Sequence, residues 1–237
     1  MTTTNSAANV PSRTRASAIR LRWAVLAIAA VAMLTVVFGA AKLGDDTRQH
    51  GDVDAASALL YGEGILEAEQ FSTVEEMTTS ADLIVVGRVA DVESGRSFGR
   101  LGIDRVGNAL ATIQVMEILG DSQAPQALAG TVLVEFFLGT QVDNVDSARE
   151  ALVGTEGIWF LRDKEAEVLR AGGDAAAAAQ ERGYFRLVSS QGLVAFVDGM
   201  TVNVFGRGEG QATDLSNATN GRRPEELTSL IVQQLKD

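Results

Sequence analysis

A mainly β domain behind a single membrane-spanning helix is what this sequence specifies. Nineteen residues, Trp23 to Ala41, run without a charge. Beyond residue 80, short β-branched runs alternate with glycine-containing turns. The final segment carries apolar residues at helical spacing. The first feature predicts a membrane helix, the second a sheet and the third a helix that docks on it.

The apolar run at about 1.5 Å rise per residue reaches roughly 28 Å, close to the hydrocarbon thickness of a bilayer. Thr35 and the indole of Trp23 are its only polar side-chain groups. A helix buried in a soluble core would show polar residues every third or fourth place. Arg13, Arg15, Arg20 and Arg22 precede it, and no acid occurs before Asp45. This bias puts the N-terminus in the cytoplasm and the C-terminal bulk outside. The expected localisation is the cell membrane, single-pass, with the bilayer held through residues 23–41. The competing reading is secretion after signal cleavage near Ala41, where Gly39 and Ala41 have suitable spacing. The length of the apolar run favours a retained signal-anchor.

The expected organisation is a disordered cytoplasmic tail over 1–22, the transmembrane helix over 23–41, a spacer over 42–70 and an extracytoplasmic β-rich domain over 71–237. The chain has no cysteine, so this domain folds by burial alone; at 167 residues it is long enough to do so. Arginine and alanine are abundant and lysine is scarce, a bias that points to a high-GC bacterial genome.

The outer part begins with "FSTVEEMTTS", where Ser72 and Glu75 match a capping box and predict a short helix to about Thr79. "LIVVGRVADV" (Leu83–Val92) is apolar on both faces at first, the mark of a buried strand, and Gly87 predicts a bulge within it. Ser94–Ala109 reads as a loop with four glycines and three arginines. Strands follow at Leu110–Leu119, Thr131–Gly139 and Gly157–Asp163, with one or two helical turns in 140–155. Residues 164–183 contain five consecutive alanines from Ala175 and read as a helix or a floppy insertion. Two or three short strands come next, with a hairpin at Asp198-Gly199. "RPEELTSLIVQQLKD" ends the chain. Pro224 suits a first helical turn, and Leu227, Leu230, Ile231 and Leu235 make the apolar stripe.

Chemistry is sparse. His50 is the only histidine and lies in the spacer, which leaves no histidine on a rigid scaffold for Ser-His-Asp catalysis. Zinc sites of Cys and His are excluded by count. Asp143, Asp146 and Glu150 lie close in sequence but lack the glycine and alternating ligands of an EF-hand. Gly206, Gly208 and Gly210 read as a hairpin tip, with no helix pattern following at once to make a phosphate cradle. No cofactor and no metal is expected. All 31 acids lie beyond residue 44 and five of the 20 basic residues before it, so the outer part carries a net charge of −16. That charge repels nucleic acid and anionic headgroups. Within it, Arg96, Arg100 and Arg105 with Phe98 form a local basic and aromatic loop, a candidate partner-binding surface. The plain alternative is a solvated loop.

The order "SADLIVVGRVADVE" (Ser80–Glu93), "ATIQVMEILG" (Ala111–Gly120), "TVLVEFFLG" (Thr131–Gly139) and "EGIWFLRD" (Glu156–Asp163) resembles the netrin-like, tissue-inhibitor-of-metalloproteinase type of OB barrel. Similar openings occur in uncharacterised bacterial secreted or membrane-anchored ectodomains. The resemblance covers roughly Ser80–Arg162 and implies a small, closed or nearly closed OB-like β-barrel; the C-terminal helix, read from its own apolar stripe, is expected to dock on it. Inhibitory members depend on cysteines that this chain lacks, so inhibition of metalloproteinases is not carried over. The expected function is a non-catalytic binding module whose partner is an envelope protein or glycan. The alternatives are an inhibitor or regulatory subunit of an envelope enzyme, and a carboxylate-based hydrolase.

Overall fold

The structure is a computed structural model that describes residues 55–56, 69–98, 106–120, 125–138, 145–204 and 214–236. The expected cytoplasmic tail and membrane helix, and His50, lie outside the described residues. Among the described residues no helix is long and apolar enough to cross a membrane.

The described chain is mainly β, built on a seven-stranded sheet. The strands are β1 (Leu83–Phe98), β2 (Val106–Leu119), β3 (Thr131–Phe137), β4 (Glu156–Asp163), β5 (Tyr184–Leu187), β6 (Leu193–Val197) and β7 (Met200–Asn203). Helices α1 (Val74–Ser80), α2 (Pro125–Leu128), α3 (Val145–Leu152), α4 (Lys164–Arg170), α5 (Ala175–Gln180), α6 (Asp214–Thr219) and α7 (Pro224–Gln234) connect and flank them.

Strand order is β1-β2-β3-β5-β4-β6-β7, and β4 pairs with β1 as well as with β5 and β6. The first five strands therefore pair in a cycle. All its pairings are antiparallel except β3 with β5, which run parallel.

The apolar character of β1 on both faces has a direct cause. Leu83, Val85, Val89 and Val92 enter one core with Ile113, Val134, Trp159, Leu161 and Phe185. Ile84 and Val86 point the other way into a second core with Val74, Met77, Phe160, Leu215, Leu227 and Ile231. The first core lies against the inner faces of the strand cycle, and the second lies between the sheet and helices α1, α6 and α7. Ala56, in the expected spacer, is buried in the first core.

Gly87 marks a register shift, as expected. A Cβ there would stand 2.6 Å from Ile113 Cγ2. It faces Gly157 across the β1–β4 ladder, where a Cβ would stand 2.4 Å from the Val194 carbonyl oxygen. The two glycines let backbones approach closely, and the buried Trp159 indole donates to the Gly87 carbonyl at 3.0 Å. The β6–β7 hairpin turns at Asp198 and Gly199, both at positive φ (51° and 75°), as the Asp-Gly pair predicts.

Two expectations are corrected, and of the two readings of residues 164–183 the helical one holds. The helix α1 is capped one residue later than expected, by Thr73 with Glu76 in the reciprocal capping box. The segment Ser94–Ala109 is not wholly a loop: β1 runs on to Phe98 and β2 begins at Val106, forming a paired ribbon. Residues 164–183 fold as two short helices, capped by Asp163 and Asp174.

Candidate functional site

The most organised polar cluster lies on the outer face of β3. Along this strand Val132, Val134 and Phe136 face the first core, so Glu135 has the opposite parity, with Leu133 and Phe137. Glu135 is nevertheless buried, its side chain 3% exposed. Arg96, near the end of β1, holds it bidentately, Nε at 2.7 Å and Nη2 at 2.5 Å. Lys164, the first residue of α4, donates to the same carboxylate. Arg96 also holds Glu181, just beyond α5, at 2.9 and 2.7 Å, and Lys164 lies 3.0 Å from Glu181. The Arg96 guanidinium stacks over the Tyr184 ring at 4.6 Å and nears the Phe98 ring at 5.8 Å.

Two cations thus share two carboxylates, a planar fork taking the bidentate position. Burial alone would push the Glu135 pKa up, but the hydrogen bonds from Arg96 and Lys164 outweigh it and hold the carboxyl below its ordinary range. Hydrogen bonds from Arg96 likewise lower Glu181. The same bonds, Glu135 first, raise Arg96. Both carboxylates stay ionised at neutral pH. Acid-catalysed glycoside cleavage needs one carboxyl of a pair held protonated, and this pair is tuned the other way.

A second set of ion pairs borders the first. Arg170 forks onto Asp82 at 2.7 and 2.8 Å, Arg186 binds Glu167, and Arg162 reaches Glu69 at 2.7 Å and the Ser80 carbonyl at 3.1 Å.

Of the four residues expected to form a binding loop, Arg96 sits on the β1–β2 ribbon, engaged by Glu135 and Glu181. Phe98 ends β1 and is 51% exposed. Arg100 and Arg105 lie outside the described residues. Phe137, which the sequence reading passed over, is also 51% exposed and lies opposite Asn108, so it shares with Phe98 the same end of the β1–β2–β3 sheet. Glu135, Lys164, Glu181 and Tyr184 were likewise not foreseen; a lone acid inside "TVLVEFF" was the one available sign. Asp146 and Glu150 lie on α3, Asp146 paired with Arg149 at 3.1 Å. Asp143 and the glycines at 206, 208 and 210 lie outside the described residues. Among the described residues no group of three or more His, Asp or Glu is placed to hold a metal.

No protein-family model matches the sequence, and a search of curated proteins finds no relative.

Proposed function

We propose that the chain is a single-pass, membrane-anchored extracytoplasmic protein whose outer domain is an OB-like β-barrel serving as a non-catalytic binding module. The barrel reading rests on the pairing cycle β1-β2-β3-β5-β4, with its parallel β3–β5 pair and α3 placed between β3 and β4. The anchor reading rests on the uncharged run Trp23–Ala41 behind four arginines.

The binding reading is carried by one observation: the outer-face cluster holds its acids fully ion-paired, while Phe98 and Phe137 stand exposed at the end of the same sheet. Such a surface has apolar contact area and fixed charge, the ingredients of a recognition patch. Its occupant is an envelope protein or glycan. Nucleic acid is disfavoured by the charge of −16 on the outer part.

The test is photo-crosslinking in cells, with the photoreactive residue at position 98 in one strain and at position 235 in another. Phe98 and Leu235 are both exposed apolar side chains, the second at the end of α7. The expected result is one reproducible crosslinked species from position 98 that is absent from position 235. Equal labelling from both positions, or none from 98 in membrane fractions holding the intact chain, contradicts the proposal.

A further inference from the structure

The segment between β4 and β5 is attached in an unusual way. Residues 164–183 form two helices, yet α4 buries no side chain and α5 buries only Ala178. Leu169, the largest aliphatic side chain of α4, is exposed. Apolar burial, which normally fixes a helix to a sheet, is therefore almost missing.

Charge takes its place, at both ends and in the middle. Lys164 at the start of α4 binds Glu135 on β3. Glu167 in mid-helix binds Arg186 on β5. Arg170 at the helix end binds Asp82, the residue before β1, at 2.7 Å. Glu181 after α5 binds Arg96 on β1 at 2.7 Å. Four pairs reach three strands and the entry to β1. Two further pairs close the segment on itself: Arg182 with Glu165 at 2.7 Å and Lys164 with Glu181 at 3.0 Å.

From this we infer that residues 164–183 are a charge-latched lid, a unit that lifts from the outer face of β3 and β5 while the sheet stays folded. Elements with few buried apolar contacts open locally at low cost, without global unfolding. The strands beneath are secured independently: Val132, Val134, Phe136, Phe185 and Leu187 turn their side chains into the first core. Lifting the lid removes Lys164 and Glu181 from above Glu135. It uncovers Glu135, two residues along β3 from the already exposed Phe137. The lid thus controls how much of the acidic, aromatic outer face is open. This inference stands on the attachment of the lid alone and does not need the binding reading.

The experiment is amide hydrogen exchange on the full chain, read by mass spectrometry at constant pH in about 0.1 M and about 1 M NaCl. The Debye length falls from ~10 to ~3 Å over that range, weakening partly exposed pairs. Peptides from 164–183 should exchange at least roughly fivefold faster at the higher salt, while peptides from β4, β6 and α7 keep their rates. Arg170→Gln and Lys164→Gln should each speed the same peptides at low salt and shrink the salt effect. Arg149→Gln, whose partners Asp91 and Asp146 lie off the lid, should do neither. Salt-insensitive exchange in 164–183, or acceleration shared equally by the strands, overturns the inference.

Discussion

Two flanking units of this domain are held to the same sheet by opposite means. Helix α7 docks through Leu227 and Ile231, both fully buried beside Ile84, Phe160 and Val194. The α4–α5 segment docks through ion pairs and buries one alanine. The difference teaches where rigidity lies. Apolar burial is indifferent to modest salt and to acid, whereas partly exposed ion pairs contribute little each and respond to both. The side of the outer face over β1, β4 and β6 is therefore built to stay closed, and the side over β3 and β5 to open.

The comparison can be broken most severely in the cores. Trp159→Ala removes the largest fully buried side chain together with its hydrogen bond to Gly87, and should cost about 3–5 kcal/mol in denaturant unfolding. Ile231→Ala should cost about 2–4 kcal/mol, with α7 loosening along with the rest of the domain. On the charged side, Glu135→Gln leaves two cations facing a neutral amide and should cost about 1–3 kcal/mol, most of it read as faster exchange in the lid. Arg170→Ala, at a half-exposed pair, should cost no more than about 1 kcal/mol globally. If Arg170→Ala destabilised the whole fold as much as Ile231→Ala, the distinction between the two attachments would fail.

Acid sharpens the contrast. Burial raises Asp82 and Glu135, but hydrogen bonds from Arg170 to the first and from Arg96 and Lys164 to the second outweigh it, so both end below their ordinary values. Arg186 lowers Glu167 and Arg96 lowers Glu181. A carboxyl whose folded pKa is depressed contributes stability in full above its unfolded pKa, about 3.9 for Asp and 4.3 for Glu, and loses it as pH falls through the folded value. The lid should therefore hold unchanged from neutrality to about pH 5 and release below about pH 4. The arginine partners Arg96, Arg170 and Arg186 are raised further above their ordinary value by the same pairs, so no loss arises from them in this window. Near-neutral release, followed by tyrosine or backbone NMR signals of 164–187, would contradict the assignment.

The sequence shows these two attachments unequally. The strands are legible because β-branched runs and the Asp-Gly turn state their own geometry, and α7 is legible because its apolar residues recur at helical spacing. The cap of α1 is ambiguous by one residue in the sequence because Ser72–Glu75 and Thr73–Glu76 are equally good patterns, and only backbone direction decides between them. The β1–β2 ribbon reads as a loop in the sequence because glycine, serine and arginine have low strand propensity, while its pairing is made by backbone groups that composition does not report. Helix α6 leaves no mark in the sequence; six residues give too little periodicity. Within the candidate site Arg96 stood out, but its partners Glu135 and Glu181 lie 39 and 85 residues away. Ion pairing across that distance is a product of strand order, and no local pattern encodes it.

The central claim is tested most directly by limited trypsin digestion of the folded full chain, comparing cleavage after Arg170 and Arg182 in the lid with cleavage after Arg222 at the entry to α7, at low and high salt. Normalising to the Arg222 site cancels the effect of salt on the protease. The account predicts that high salt raises cutting at Arg170 and Arg182 relative to Arg222. A ratio that does not change with salt would contradict it, and would mean that the two flanking units are secured alike.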